Sequence, residues 1–316
     1  MTNYKTLTLR DGTEMPAFGL GTWLSEPGEV YDAVRAALEL GYRHVDCAAI
    51  YGNEEEVGQA IADGIAAGDI ARDDLWVTSK LWNDSHEPEN VRPALEQTLE
   101  DLQLDRLDLY LIHWPIAFRH GVQFPEGRED YLTLEEAPLG ATWQVMQSLA
   151  EKGLVGNIGV SNMGKERIEL LDNAGAIPAV VQVESHPHLQ QRELLDFCSA
   201  RDIVLTAYSP LGSPGRKHRA GDEPPLLEHP TILGIADDID ATPAQVLIGW
   251  ALARDTVVIP KSVNPGRIEE NLGTLDVELS EEHMEQIGEM DKGYRYLDGE
   301  FFAGEDSPYE ASEIWK

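Results

Sequence analysis

A chain of 316 residues that is 42% hydrophobic has the apolar material for one large α/β domain or two smaller ones, and its two cysteines, Cys47 and Cys198, are too few for a disulfide framework. No apolar run reaches the roughly eighteen residues of a membrane span, and the opening MTNYKTLTLRDG carries no leader pattern, so a cytoplasmic protein off the membrane is expected. Lys plus Arg number 24 against 57 Asp plus Glu, a formal net charge of −33, which speaks against a nucleic-acid partner because its phosphates would be repelled.

The carboxylates are spread along the chain rather than gathered in a tail, and only eight of the 24 basic residues are lysine. A soluble acidic protein would satisfy this composition. Adaptation to molar salt explains it better, because a dense carboxylate surface stays hydrated there and its self-repulsion is screened.

In chain order, LTLRDGTEMP reads as a hairpin with Asp11-Gly12 at the turn. Eight β-rich runs follow: AFGLGT, YRHVDC, LWVTSKL, LDLYLIH, VGNIGVSN, AVVQVE, IVLTAYSP and TVVIPKS. Helical patterns such as PGEVYDAVRAALEL, EPENVRPALEQTLEDL and TPAQVLIGWALA separate them, with two such segments between the seventh and eighth runs. Eight alternating units predict a (β/α)8 barrel, residues 1–316 forming one domain, with the hairpin in front and a long C-terminal loop over the mouth. No GxGxxG is present; Gly19-Leu20-Gly21 lacks the third glycine, so a Rossmann domain is poorly supported.

In such a barrel the chemistry lies at the C-terminal ends of the strands. Those ends read Thr22-Trp23, Asp46 then Tyr51, Lys80, His113, Ser161-Asn162, Gln182, Tyr208-Ser209 and Lys261-Ser262. Strands must end in something polar, but Asp, Tyr, Lys and His on three consecutive units form a chemical set. A phenol is a reluctant donor, with a pKa of roughly 10; the Lys80 ammonium would lower that value and Asp46 would hold Lys80 charged and oriented. His113 could hydrogen-bond a substrate carbonyl and fix its angle. The set suits protonation of an oxygen as hydride arrives at carbon. The purely structural alternative, an Asp46–Lys80 ion pair closing the mouth, leaves Tyr51 and His113 without a task.

The segments VDCAAIYGNEEEVG, VTSKLW, LIHWP, GVSN, YSPLG and IPKS…RIEEN resemble, in order and spacing along nearly the whole chain, those of the aldo-keto reductases. The resemblance implies a (β/α)8 barrel, metal-free reduction of aldehydes and ketones with NAD(P)H, and Asp46, Tyr51, Lys80 and His113 as the catalytic tetrad. The ending GEFFAGEDSPYEASEIWK is similar to the C-terminal loop of the aldehyde and aldose reductase branch, most of all its plant members; shorter relatives that reduce diketo-gluconates tend to lack so long a tail. A small carbonyl compound as substrate and a monomeric state are implied with it.

A cofactor site can be read beside the tetrad. Ser161, Asn162 and Gln182 offer the donors and acceptors that a nicotinamide carboxamide needs, and Tyr208 offers a flat face for stacking. Lys261, Ser262, Asn264 and Arg267 follow strand eight, where barrels often bind phosphate. A lysine point charge and an arginine fork suit a 2′-phosphate, and the family's adenosine-phosphate motif implies NADPH preference, with NADH as the weaker alternative. The resemblance extends the cofactor contacts to Thr22, Ser209, Leu211, Ser213, Glu270 and Asn271. The alternative is that Lys261 and Arg267 only pair with Glu269 or Glu270.

Trp23, Trp82 and Trp114 follow the ends of strands one, three and four and would make an aromatic substrate slot, unless they pack under loops; Phe118, Phe124, Phe301 and Phe302 are further candidates. His186-Pro187-His188 has a metal-like spacing but no third ligand in reach, so a structural loop is expected. Cys47, next to Asp46 on a strand, faces the other way and is expected buried and inert. Two other activities compete: a Schiff-base lyase acting through Lys80, and a non-catalytic NADPH-binding regulatory protein.

Overall fold

The structure, a computed structural model, describes residues 4–216 and 223–316; Met1, Thr2 and Asn3, the start of the segment read for a leader, lie outside it. Strands β1 (Thr6–Thr8) and β2 (Glu14–Pro16) form the expected antiparallel hairpin. Gly12 takes φ 88 at its turn, where Asp11 Oδ1 accepts from the Thr13 amide at 2.9 Å. The eight expected barrel strands follow as β3 (Leu20–Gly21), β4 (His44–Asp46), β5 (Trp76–Leu81), β6 (Leu107–Ile112), β9 (Val155–Ser161), β10 (Val180–Glu184), β11 (Val204–Tyr208) and β12 (Val257–Val258). They lie side by side in that order, all parallel. Parallel bridges Phe18–Val258 and Gly21–Lys261 join the first strand to the last and close the barrel. The closure is tight enough that a Cβ at Gly21 would fall 2.9 Å from the Ile259 carbonyl oxygen. The first strand is consequently shorter in the ladder than AFGLGT suggests, since only its second half pairs with β4.

Between β6 and β9 lies a two-stranded antiparallel piece, β7 (Ala117–Phe118) paired with β8 (Tyr131–Leu132). The helical layer comprises α1 (Glu29–Leu40), α2 (Glu54–Ala67), α3 (Pro88–Asp101), α4 (Leu139–Glu151), α5 (Lys165–Asn173), α6 (Arg192–Ser199), α7 (Pro230–Asp238), α8 (Pro243–Ala253), α9 (Pro265–Leu272), α10 (Glu281–Gly288) and α11 (Ala311–Ile314). Helices α7 and α8 are the two segments expected between the last two strands. Proline at the first turn and a Thr242–Gln245 capping box start α8 where TPAQ predicts it. Among the described residues no helix is long and apolar enough to cross a membrane.

Two apolar layers follow from strand alternation. Outward side chains such as Val45, Val77, Tyr110 and Val181 pack against the helices. Inward, Leu9 and Met15 from the hairpin meet Trp76, Leu109, Leu111, Val180, Val204 and Val257 and plug the N-terminal end of the barrel. A third cluster roofs part of the opposite end: Trp82, Trp114, Ile116, Phe118 and Tyr131 pack with Phe302, Tyr309 and Ile314 of the C-terminal segment. That segment does lie over the mouth, as its length and position led us to expect.

Candidate active site

Asp46, Lys80 and Gln182 reach the mouth because each is inward-facing near the C-terminal end of its strand, while His113 follows β6 directly. Tyr51 ends a single 3-10 turn, Ala49–Tyr51, and is half-buried. Lys80 Nζ donates to Asp46 Oδ1 at 2.5 Å and to the Cys47 carbonyl at 2.7 Å, and Tyr51 Oη lies 3.4 Å from it. Gln182 Nε2 donates to the other Asp46 oxygen at 2.7 Å. The Tyr51 and Trp82 rings stand edge-on to His113, with centroids 5.8 Å and 5.2 Å away.

The electrostatics differ from the sequence expectation in one respect. Burial pushes the Tyr51 phenol up to about 12, outweighing the downward pull of Lys80. The ammonium moderates the rise but does not produce a net drop. Burial also opposes the charge of Lys80, yet Asp46 and Tyr51 outweigh it and its pKa stands above the ordinary lysine value. Burial, reinforced by Lys80 and His86, holds His113 well below its usual range and hence neutral. Cys47 is buried and its thiol is pushed up by burial, in keeping with an inert role.

These residues open onto a cleft of about 410 Å³. Thr22, Trp23, Asp46, Tyr51, Trp82, His113, Trp114, Ser161, Asn162, Gln182, Tyr208, Ser209, Leu211, Ser213 and Lys261 all line it. Asn162, at φ 59, is largely committed within the protein: Nδ2 donates to the His113 carbonyl at 2.9 Å and to Ser161 Oγ at 3.1 Å, and Oδ1 accepts from the Tyr208 hydroxyl at 2.7 Å. Thr22 donates to the Asp46 carbonyl at 2.9 Å, and the Ser209 and Ser213 hydroxyls meet at 2.6 Å.

Ser262, Asn264, Arg267, Glu270 and Asn271 are not part of the cleft wall; they form the loop and helix beyond its end. Asn264 caps α9 by accepting from the Arg267 amide at 3.1 Å, and Ser262 Oγ accepts from the Asn264 amide at 3.1 Å. Lys261 donates to the Leu24 carbonyl at 2.7 Å, and Glu270 accepts from Thr242 at 2.9 Å. Neither Lys261 nor Arg267 has a carboxylate within ion-pair distance among the described residues, so the pairing with Glu269 or Glu270 is not formed.

Of the phenylalanines, Phe124 and Phe301 line the cleft. Phe118 and Phe302 do not: both are fully buried in the aromatic cluster that roofs part of the mouth. Glu184, at the end of β10, was not singled out from the sequence. Its carboxylate is fully buried and accepts from His186 Nε2 at 2.7 Å and from the amides of Tyr296 and Leu297 at 2.7 and 2.9 Å, which anchors the C-terminal segment beside the cleft. His188 Nδ1 lies 3.2 Å from the Tyr296 hydroxyl, so both histidines of the His-Pro-His loop serve the same anchorage. Arg216, a further cleft residue, is ion-paired with Glu223.

The closed (β/α)8 barrel thus carries a buried Asp–Lys pair beneath a tyrosine and a neutral histidine, at the wall of a cleft lined with aromatic side chains. The chain belongs to the aldo/keto reductase family, which matches residues 17–292. It is 48% identical over 314 residues to "Aldo/keto reductase slr0942" of Synechocystis sp., covering 98% of this chain and 96% of that protein. It is also 48% identical over 292 residues to human aldo-keto reductase family 1 member A1, covering 92% and 90% of the two chains, and 49% identical over 294 residues to the Gallus gallus protein of the same name, with the same coverage. The family's chemistry is oxidoreduction of small carbonyl compounds with a nicotinamide cofactor.

Proposed function

We propose that the chain is an NADPH-dependent reductase of aldehydes and ketones, of the aldehyde reductase or alcohol dehydrogenase (NADP+) type, with Tyr51 as proton donor. The observation that carries this reading is the run of contacts from Asp46 through Lys80 to the Tyr51 hydroxyl at the cleft wall. With its pKa near 12 the phenol is protonated at neutral pH, the form a donor needs. Lys80, held charged by Asp46, stabilises the phenolate left behind. His113 is neutral and its buried Nδ1 has no partner among the described residues, which favours the tautomer with its hydrogen on Nε2, and that hydrogen can orient a substrate oxygen toward Tyr51.

The donor set fits a nicotinamide nucleotide. Ser161 Oγ accepts from Asn162, leaving its own hydrogen free, and Gln182 donates to Asp46, leaving Oε1 free to accept; one donor and one acceptor answer the two ends of a carboxamide. NADPH, when bound, supplies the hydride. Lys261 and Arg267, which have no carboxylate partner among the described residues of a chain of net charge −33, favour a 2′-phosphate and hence NADPH over NADH. Trp23, Trp82 and Trp114 shape the substrate end. A monomer in the cytoplasm of a salt-adapted cell completes the reading.

Steady-state NADPH oxidation with a panel of aldehydes and ketones tests it. Turnover is expected with NADPH and weaker turnover with NADH. Borohydride treatment with substrate should leave Lys80 unmodified; an adduct there would favour the lyase chemistry, and cofactor binding without turnover would favour a regulatory protein.

A further inference from the structure

Behind the mouth lies a buried carboxyl that the chemistry above does not use. Glu54 opens α2 in a run of three glutamates; Glu55 is exposed, yet Glu54 is only 4% exposed. Its Oε1 accepts from Ser79 Oγ at 2.5 Å and its Oε2 from Thr98 Oγ1 at 3.1 Å, so one side chain joins α2, β5 and α3. The shorter contact lies in the range of a hydroxyl donating to a carboxylate. A buried acid is a costly way to pack a helix against a strand. Helix dipole does not account for it either, because Glu55 and Glu56 already supply charge to that turn.

What Glu54 joins supplies the reason. Ser79 immediately precedes Lys80, and the pleat of β5 sends Lys80 to the mouth and Ser79 to the helix layer. On the other side, Glu54 follows Tyr51 by three residues, across Gly52 at φ 66 and Asn53, whose side-chain amide donates to the Thr22 carbonyl at 3.0 Å. Asn53 therefore fastens the tyrosine turn to the end of β3, and Glu54 fastens it to β5. The Tyr51–Lys80 separation of 3.4 Å is at the long edge of hydrogen bonding. A shift of a few tenths of an ångström in either element decides whether the ammonium reaches the phenol.

We propose that Glu54 is a positioning residue that sets the Tyr51–Lys80 distance by tying the turn that carries the phenol to the strand that carries the ammonium. The proposal rests on the proton-donor reading of Tyr51. Burial lifts the Glu54 pKa to about 7, opposed by the two hydroxyl bonds; Asp101 on α3 raises it further and Lys80 lowers it. Cys47 after β4 and Tyr110 on β6 are the other titratable groups that feel its charge. The carboxylate accepts from both hydroxyls at once, whereas the protonated acid gives one oxygen to its own hydrogen. The tie is therefore tightest above about pH 7, and turnover should rise as pH passes through that value.

The test compares wild type, Glu54→Ala, Glu54→Gln and Ser79→Ala in NADPH oxidation with benzaldehyde, from about pH 5.5 to about pH 9, with thermal melts alongside. Glu54→Ala should lower kcat about ten- to a hundredfold while KM for NADPH stays within about twofold. Glu54→Gln, which still accepts a hydroxyl bond, should recover most of kcat at high pH but lose the rise near 7. Ser79→Ala should lower kcat in the same sense, with a melt lowered by the lost buried hydrogen bond but a folded protein at the assay temperature. In a Tyr51→Phe background, Glu54→Ala should cost nothing further. A folded Glu54→Ala with wild-type kcat overturns the proposal, and so does an unchanged kcat in Ser79→Ala should Glu54→Ala fail to fold. Full additivity with Tyr51→Phe overturns it as well. A wild type that reduces no aldehyde would instead remove the reductase reading itself.

Discussion

At the N-terminal end of the barrel, Leu9 and Met15 of the hairpin press on Trp76, Leu109, Leu111, Val180, Val204 and Val257, all of them buried and apolar. Toward the C-terminal end the barrel strands carry Asp46, Lys80, Gln182 and Tyr208, and the segment that covers them is tied down by the buried Glu184. One end is closed by hydrophobic burial, which is non-directional and tolerates no water. The other end combines an apolar roof over part of the mouth with directional polar contacts, and among those the Asp46–Lys80–Tyr51 set is the proposed chemistry. Changes at the plug should therefore move stability and leave turnover alone, and changes at the mouth should do the reverse, except where a mouth residue is itself buried.

Lys80→Met is the sharpest exception and the largest expected effect. It leaves Asp46 buried without its cation, a loss of about 3–5 kcal/mol in unfolding free energy together with loss of turnover; urea unfolding measures the first and NADPH oxidation the second. Met15→Ala opens a cavity in the plug and should cost about 2–5 kcal/mol in the same unfolding assay, with kcat of the folded enzyme unchanged. A fall in kcat there would mean that the two ends are coupled. Lys261→Ala and Arg267→Ala should each weaken NADPH binding by about 1.5–3 kcal/mol in dilute buffer, spare NADH, and leave the melt unchanged; equal losses for both cofactors would contradict the 2′-phosphate reading. Salt acts most weakly on any single contact but on every carboxylate at once. Because the screening length falls from about 8 Å at physiological ionic strength to about 3 Å at 1 M, the melting temperature should climb through a KCl series while NADPH affinity declines. A flat or falling melting temperature would contradict salt adaptation.

The barrel and the residues at its mouth were legible in the sequence for a shared reason. Eight β-rich runs set the strands, and an aspartate or lysine at the end of an apolar run has no packing explanation, which is why Asp46 and Lys80 stand out without a structure. Glu184 and Glu54 did not stand out. Glu184 finds its partners at Tyr296 and Leu297, far along the chain, and Glu54 lies in a run of glutamates that reads as an exposed acidic helix start. The aromatic residues show the same limit: nothing local separates Phe301, which lines the cleft, from its neighbour Phe302, which is fully buried. The sequence offers an activating cation for the Tyr51 phenol, but the burial that lifts its pKa is a property of the assembled mouth.

The most direct test of the account is Tyr51→Phe, assayed for NADPH-dependent aldehyde reduction and, separately, for NADPH binding by calorimetry. The substitution removes the hydroxyl near Lys80 and keeps the ring that stands edge-on to His113. The account predicts that kcat falls by about two orders of magnitude or more while the NADPH dissociation constant and the melting temperature stay at their wild-type values. Near-normal turnover in a well-folded Tyr51→Phe protein would contradict it.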